Sequence, residues 1–136
     1  MTKQRPGTMR LIDATQYKLP PAAWVSILHR ASGVLMFLLL PCVIWALDKS
    51  LSSDIGYHYI ADVFVGGIRP VPGWCFKLVL LALIWAYLHH FIAGVRHLWM
   101  DATHSVSKEF GRSSALVTLG LSLSLTAALA AKLFFF

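Results

Sequence analysis

The chain has 136 residues, of which 57% are hydrophobic and 13% charged, and its mean hydropathy is +0.66. Soluble domains of this size carry fewer apolar residues, so the composition excludes a small soluble enzyme. The formal net charge of +6 is accounted for by lysines and arginines in the segments that flank the apolar runs. Nothing further in the sequence supports a nucleic-acid partner, and we expect a lipid membrane as its surroundings.

Three apolar runs are long enough to cross a bilayer. They cover about residues 24–47, 74–100 and 113–136, and each reaches the roughly 20 residues that a helix needs for a hydrocarbon core about 30 Å thick. A single chain cannot close a β-barrel from such runs, so the spans must be helices. The sequence predicts an all-α membrane protein, with an N-terminal arm at 1–23 and a three-helix anchor at 24–136.

Basic residues predict the orientation of these helices. Four of them precede the first span, and Lys108 and Arg112 separate the second span from the third. The segment at 48–73 instead has two basic residues against three aspartates. The positive-inside rule therefore places the N-terminus and the 101–112 loop in the cytoplasm or matrix. The arm resembles neither a signal peptide nor a transit peptide, so we expect a bacterial inner membrane rather than a mitochondrial one.

The end of the second span carries ionisable side chains on one helical face. His90, Gly94, His97 and Asp101 are spaced at i, i+4, i+7 and i+11. Each ionisable group at membrane depth costs roughly 2.5–3.5 kcal/mol on insertion scales, which indicates a use. A neutral imidazole can ligate haem iron, and Gly94 leaves space for a flat group beside the helix. A histidine bonded to a neighbouring helix is the alternative.

One helix can supply only one axial ligand to such a haem. His89 points about 100° away from His90, and His97 lies about 10 Å along the axis from it. A second ligand must come from another helix. His29 is the one histidine within another predicted span, and a partner protein is the other source.

The first span opens with a second polar group. Ser26, Arg30 and Gly33 share one face, and His29 flanks that face. A cation and a hydroxyl at the rim of an apolar pocket can hydrogen-bond a quinone carbonyl or hold haem propionates. An arginine whose charge merely reaches the membrane surface is the alternative for Arg30.

These two segments, SILHRASG at 26–33 and HHFIAGVRHLWMD at 89–101, carry a family resemblance. The chain resembles the cytochrome b subunit of succinate dehydrogenase, the large membrane anchor of respiratory complex II. The family patterns S-x-x-H-R-x-[ST]-G and H-x-x-x-G-x-R-H-x-x-x-D are both met without a gap. The arm departs from the family, because QYKLP stands where an arginine usually precedes the proline. This departure concerns docking to the iron–sulfur subunit.

The resemblance implies one haem b, with His90 as an axial ligand and the second ligand on the small membrane anchor subunit. It implies ubiquinone binding by Ser26 and Arg30. It places His29, Arg30, Gly94 and His97 around the haem and its propionates, and it suggests proton delivery by Asp101. A flavoprotein and an iron–sulfur subunit would complete a heteromeric assembly, in which electrons from succinate reach ubiquinone. No residue of this chain alone would be catalytic.

Two other functions remain open at this point. The first is a haem-free structural anchor of a related fumarate reductase or succinate dehydrogenase. The second is a small proton-conducting transporter subunit, which would spread ionisable groups across the membrane depth rather than near one leaflet.

Overall fold

The computed structural model describes residues 18–135, so most predictions for the N-terminal arm lie outside the described residues. Four helices follow in chain order: α1 at Pro21–Ser52, α2 at Asp54–Val65, α3 at Gly73–Thr103 and α4 at Lys108–Phe135. The predicted all-α fold is confirmed. By length and composition, α1, α3 and α4 are each able to cross a membrane, and they contain the three predicted apolar runs as far as residue 135.

Short polar and proline-rich segments define the helix ends. Proline at the first helical position suits the start of α1, because Pro21 has no N–H to leave unpaired there. The Ser53 hydroxyl accepts a hydrogen bond from the Gly56 N–H at 3.0 Å and caps α2. α3 ends at His104, whose φ of 51° is left-handed and turns the chain towards α4.

The connections are shorter than the apolar runs suggested. The expected 101–112 loop is reduced to residues 104–107, because α3 continues to Thr103 and α4 already begins at Lys108. The expected loop at 48–73 contains α2, whose 12 residues give a length of about 18 Å. Polar residues can remain helical beyond a hydrocarbon boundary, so an apolar run underestimates the length of its helix.

The core between the helices is narrow. Its buried hydrophobic side chains are Val25, Ala86, Ala93 and Ala115. Three of the four are alanines, which let helix backbones approach closely where lipid gives little hydrophobic drive for association. α1, α3 and α4 pack against one another, and α2 packs against α1 and α3. Most large apolar side chains of the spans face outwards.

Polar side chains of α3 tie it to α4. The Arg96 guanidinium, which is 9% exposed, donates from Nε to the Ser114 hydroxyl at 2.9 Å and from Nη2 to the Gly111 carbonyl at 3.2 Å. The fully buried His89 ring contacts the Ser122 hydroxyl through Nδ1 at 3.2 Å. Its Nε2 has no hydrogen-bond partner within residues 18–135. These contacts fix how α3 is rotated against α4.

Replacing Ser114 by alanine leaves the Arg96 Nε donor unpaired in a buried position. We expect the free energy of unfolding to fall by about 1 kcal/mol. Ser113→Ala is the matched control, because the Ser113 hydroxyl is exposed and bonds to the Phe110 carbonyl of its own helix. Unfolding midpoints of the protein purified from membranes test this prediction, and equal midpoints for the two variants would contradict it.

Candidate functional site

Three histidines meet where α1 packs on α3. The rings of His29 on α1 and His90 on α3 are stacked, with centroids 4.1 Å apart and planes inclined by 20°. The centroid of the His97 ring lies 5.3 Å from that of the His29 ring. All three side chains are half-buried. The structure therefore brings the predicted site histidines together and leaves them open to the surface of the chain.

The polar contacts of His90 define how its ring is held. Its Nδ1 lies 3.0 Å from the main-chain carbonyl oxygen of His29 and 3.3 Å from the Ser32 hydroxyl. A carbonyl oxygen only accepts hydrogen bonds, so the proton of the neutral ring belongs on Nδ1. The lone pair is then on Nε2. Metal-ligating histidines commonly show this arrangement, with one ring nitrogen bonded to a carbonyl and the other free.

The His90 ring packs against α1 at Gly33. A Cβ atom at position 33 would lie 3.0 Å from Cε1 of His90 and 3.4 Å from its Nδ1, closer than most side chains tolerate. Ser32 had no predicted role, and Gly33 was expected only to share a helical face with Ser26 and Arg30. Both contacts depend on how α1 and α3 are aligned, which helical spacing within one segment does not reveal.

The surface beside Gly94 differs from the open space that the sequence suggested. The His29 ring faces it, and a Cβ atom at Gly94 would lie 3.7 Å from Nε2 of His29, an ordinary van der Waals distance. Because Gly94 has no side chain, the His29 ring can pack close to the backbone of α3 at this position. A flat group that lies directly on this surface requires the His29 ring to turn aside.

The remaining predicted residues lie at one end of this contact. His90 meets Gly33, whereas His97 meets His29, so α1 and α3 run antiparallel. The start of α1 therefore lies beside the end of α3. Ser26 is half-buried, and Arg30 and Asp101 are exposed. All three lie towards this end of the bundle.

An apolar groove lies along the contact of α1 with α3, on the side of the histidines away from Ser26, Arg30 and Asp101. It has a volume of about 470 Å³ and begins one turn beyond Gly33 and one turn before His90. Its lining includes Met36, Leu40 and Val43 of α1 and Leu83, Tyr87 and Leu88 of α3. The polar groups at the end of the bundle and this groove thus lie on opposite sides of His90.

The described residues hold no protein-only metal site. Within residues 18–135, no three histidine, cysteine, aspartate or glutamate side chains are grouped so that they could hold a metal ion. The fold and the histidine cluster define a helical membrane protein with three clustered histidines and an apolar groove further along the contact of α1 with α3.

Comparison with known proteins narrows this class. The family model of the succinate dehydrogenase/fumarate reductase transmembrane subunit matches residues 1–129. The succinate dehydrogenase cytochrome b556 subunit of Coxiella burnetii is 32% identical over 122 residues, 90% of each chain. Its counterpart in Paracoccus denitrificans is 30% identical over 99 residues, 73% of this chain and 71% of the relative.

The chain belongs to the succinate dehydrogenase/fumarate reductase transmembrane subunit family. It is a multi-pass membrane protein and a subunit of an oxidoreductase complex, in which it assembles with other subunits. The family resemblance in the two sequence segments is thereby confirmed.

A methyl group at position 33 should disturb the histidine contact. We expect Gly33→Ala to displace the His90 ring, and overpacking of this kind costs about 1–3 kcal/mol. Gly120→Ala on α4 is the matched control, since a Cβ atom there meets nothing within 4 Å, and both variants gain similar helix propensity. Unfolding midpoints compare the two, and a Gly33→Ala midpoint at or above that of Gly120→Ala would refute the close contact.

Proposed function

We propose that this chain is the haem b-binding membrane anchor of a succinate dehydrogenase and helps to form its ubiquinone-reduction site. The observation that carries this proposal is the bond from His90 Nδ1–H to the His29 carbonyl, which leaves Nε2 available as an iron ligand. The names of the relatives, cytochrome b556 subunits of succinate dehydrogenase, support the same cofactor and reaction.

The residues around His90 fit a haem b. The apolar groove that begins about one turn from His90 offers surroundings that would suit a porphyrin, and Gly94 lies on the same face of α3, next to the His29 ring. His29 and Arg30 lie on the opposite, polar side, where a cation and an imidazole N–H suit propionates. To hold haem, the His29 ring would turn away from Gly94 towards the propionates, and His97 would help to hold the same group. When bound, haem supplies a one-electron redox centre.

This chain would provide one of two axial ligands. His29 is the other histidine beside His90, but its ring is stacked face to face on that of His90 at 4.1 Å. His29 and His90 thus do not face a common site between their rings. As the family resemblance implies, the small anchor subunit would supply the second ligand and would cover the open side of the cluster.

The quinone site is proposed at the polar end of the α1–α3 contact. The Ser26 hydroxyl and the Arg30 guanidinium are donors one turn apart on α1. Directed at a quinone oxygen, they stabilise the negative charge that develops there during reduction, as an oxyanion hole does. Asp101, at the exposed end of α3, is positioned to pass protons to this region.

The other subunits supply the remaining chemistry. We propose that a flavoprotein oxidises succinate and an iron–sulfur subunit conducts the electrons, so that this chain alone has no catalytic activity. The assembly lies in a bacterial inner membrane, with the N-terminus and residues 104–107 in the cytoplasm, as the basic residues favour. Ser26, Arg30 and Asp101 then lie at the cytoplasmic edge, where the soluble subunits dock.

Removal of the His90 imidazole should abolish haem binding. We expect the purified complex with His90→Ala to lose its b-type band in the dithionite-reduced minus oxidised spectrum. His58→Ala is the matched control, since His58 is exposed on α2, and should keep the band. A band unchanged in His90→Ala would refute the ligand, and no band in the parent complex would favour the haem-free anchor.

Removal of the Arg30 charge should affect only the quinone step. We expect Arg30→Ala to lower quinone reduction by about 100-fold, the loss reported when one preorganised donor to a developing oxyanion is removed. Succinate oxidation by artificial dyes at the flavoprotein should persist. Arg112→Ala, at an exposed arginine on the same side, controls for the loss of positive charge. Equal loss of both activities in Arg30→Ala would contradict a quinone-binding role.

A further inference from the structure

Ser32 is fully buried in the contact between α1 and α3 and has no role in the function proposed above. Its hydroxyl donates to the His29 carbonyl oxygen at 2.8 Å. The hydroxyl oxygen lies 3.3 Å from Nδ1 of His90. Ser32 therefore contacts both partners of the bond that holds the His90 ring.

The hydrogen positions in this group follow from the donors and acceptors present. The single Ser32 proton is used towards the His29 carbonyl, so the hydroxyl oxygen faces His90 with a lone pair. The Nδ1–H of His90 then has two acceptors, the carbonyl at 3.0 Å and the hydroxyl at 3.3 Å. Such three-centre hydrogen bonds are common in proteins.

The His29 carbonyl oxygen is a shared acceptor. It lies in the continuous helix α1, where it also takes the N–H four residues later, that of Gly33. The Ser32 hydroxyl and the Nδ1–H of His90 approach the same oxygen, which has two lone pairs. The Ser32 oxygen offers Nδ1–H a second acceptor on the same side of the ring.

We infer that Ser32 is a positioning residue for the haem ligand. Together with the His29 carbonyl, its hydroxyl holds the His90 ring in one orientation and in the Nδ1–H tautomer, so that Nε2 keeps its lone pair. This inference rests on the proposed ligation of haem by His90. Partners of this kind typically change metal affinity by about 10–100-fold when they are removed.

The test uses the full complex with three substitutions at position 32. Ser32→Ala removes the hydroxyl, and Ser32→Cys keeps nearly the same volume with a weak donor and acceptor. Ser32→Thr retains the hydroxyl. Ser124→Ala is the matched control, because the exposed Ser124 hydroxyl bonds only to carbonyls of its own helix. The readouts are the low-spin haem signal in electron paramagnetic resonance and the rate of haem loss to a haem-scavenging protein.

We expect a shifted low-spin signal and about tenfold faster haem loss in Ser32→Ala and Ser32→Cys. Ser32→Thr and Ser124→Ala should match the parent. An unchanged signal in Ser32→Ala and Ser32→Cys overturns the inference, and so does a Ser32→Thr signal shifted as in Ser32→Ala. If Ser32→Ala fails to assemble, the Cys and Thr pair decides. His90→Ala separates the two claims, since haem retained in that variant refutes the proposed ligation itself.

Discussion

Polar side chains on α3 must find partners on neighbouring helices, because apolar surroundings offer no water to replace them. Two pairs of residues on α3 make such contacts between helices. His89 and Arg96 are seven residues apart, as are His90 and His97, so each pair keeps to one side of the helix. The first pair contacts α4, and the second contacts His29 of α1. The two rows lie about 100° apart.

α4 contributes no predicted ligand to the histidine site, but it affects the site because its contacts hold α3 in one rotation. A rotation of α3 by about 100° would carry His89 towards the place of His90 and leave Arg96 without its partners. The contacts of Arg96 with Ser114 and Gly111 oppose this rotation. The direction in which His90 faces is therefore set by contacts on the adjacent side of α3, about 100° away. Gly33 and the His29 carbonyl then fix the remaining freedom of its ring.

The sequence was sufficient for the number of membrane spans and for which residues share a helical face, but not for helix α2 or for the helix ends. Apolar run length predicted the three spans, and the 100° turn per residue separated His89 from His90. The sequence could not predict contacts between helices, because these depend on the relative rotation and axial alignment of two elements. The role of Ser32, the partners of Arg96 and the position of His29 over Gly94 all belong to this second kind. The proposed role of Asp101 came from the family resemblance, which also favoured quinone binding among the alternatives that the residues left open for Ser26 and Arg30.

The site also explains why the chain buries so little of itself. His29, His90 and His97 are only half-buried, and large apolar side chains of all three long helices face outwards. In the proposed assembly, a second helical subunit on the open side of the groove would supply the missing wall. Haem would take His90 from this chain and its other ligand from the small anchor subunit, and so would join the two subunits. Cofactor binding and assembly would then be coupled, and α4 would support both by holding α3 in the rotation that directs His90 towards α1.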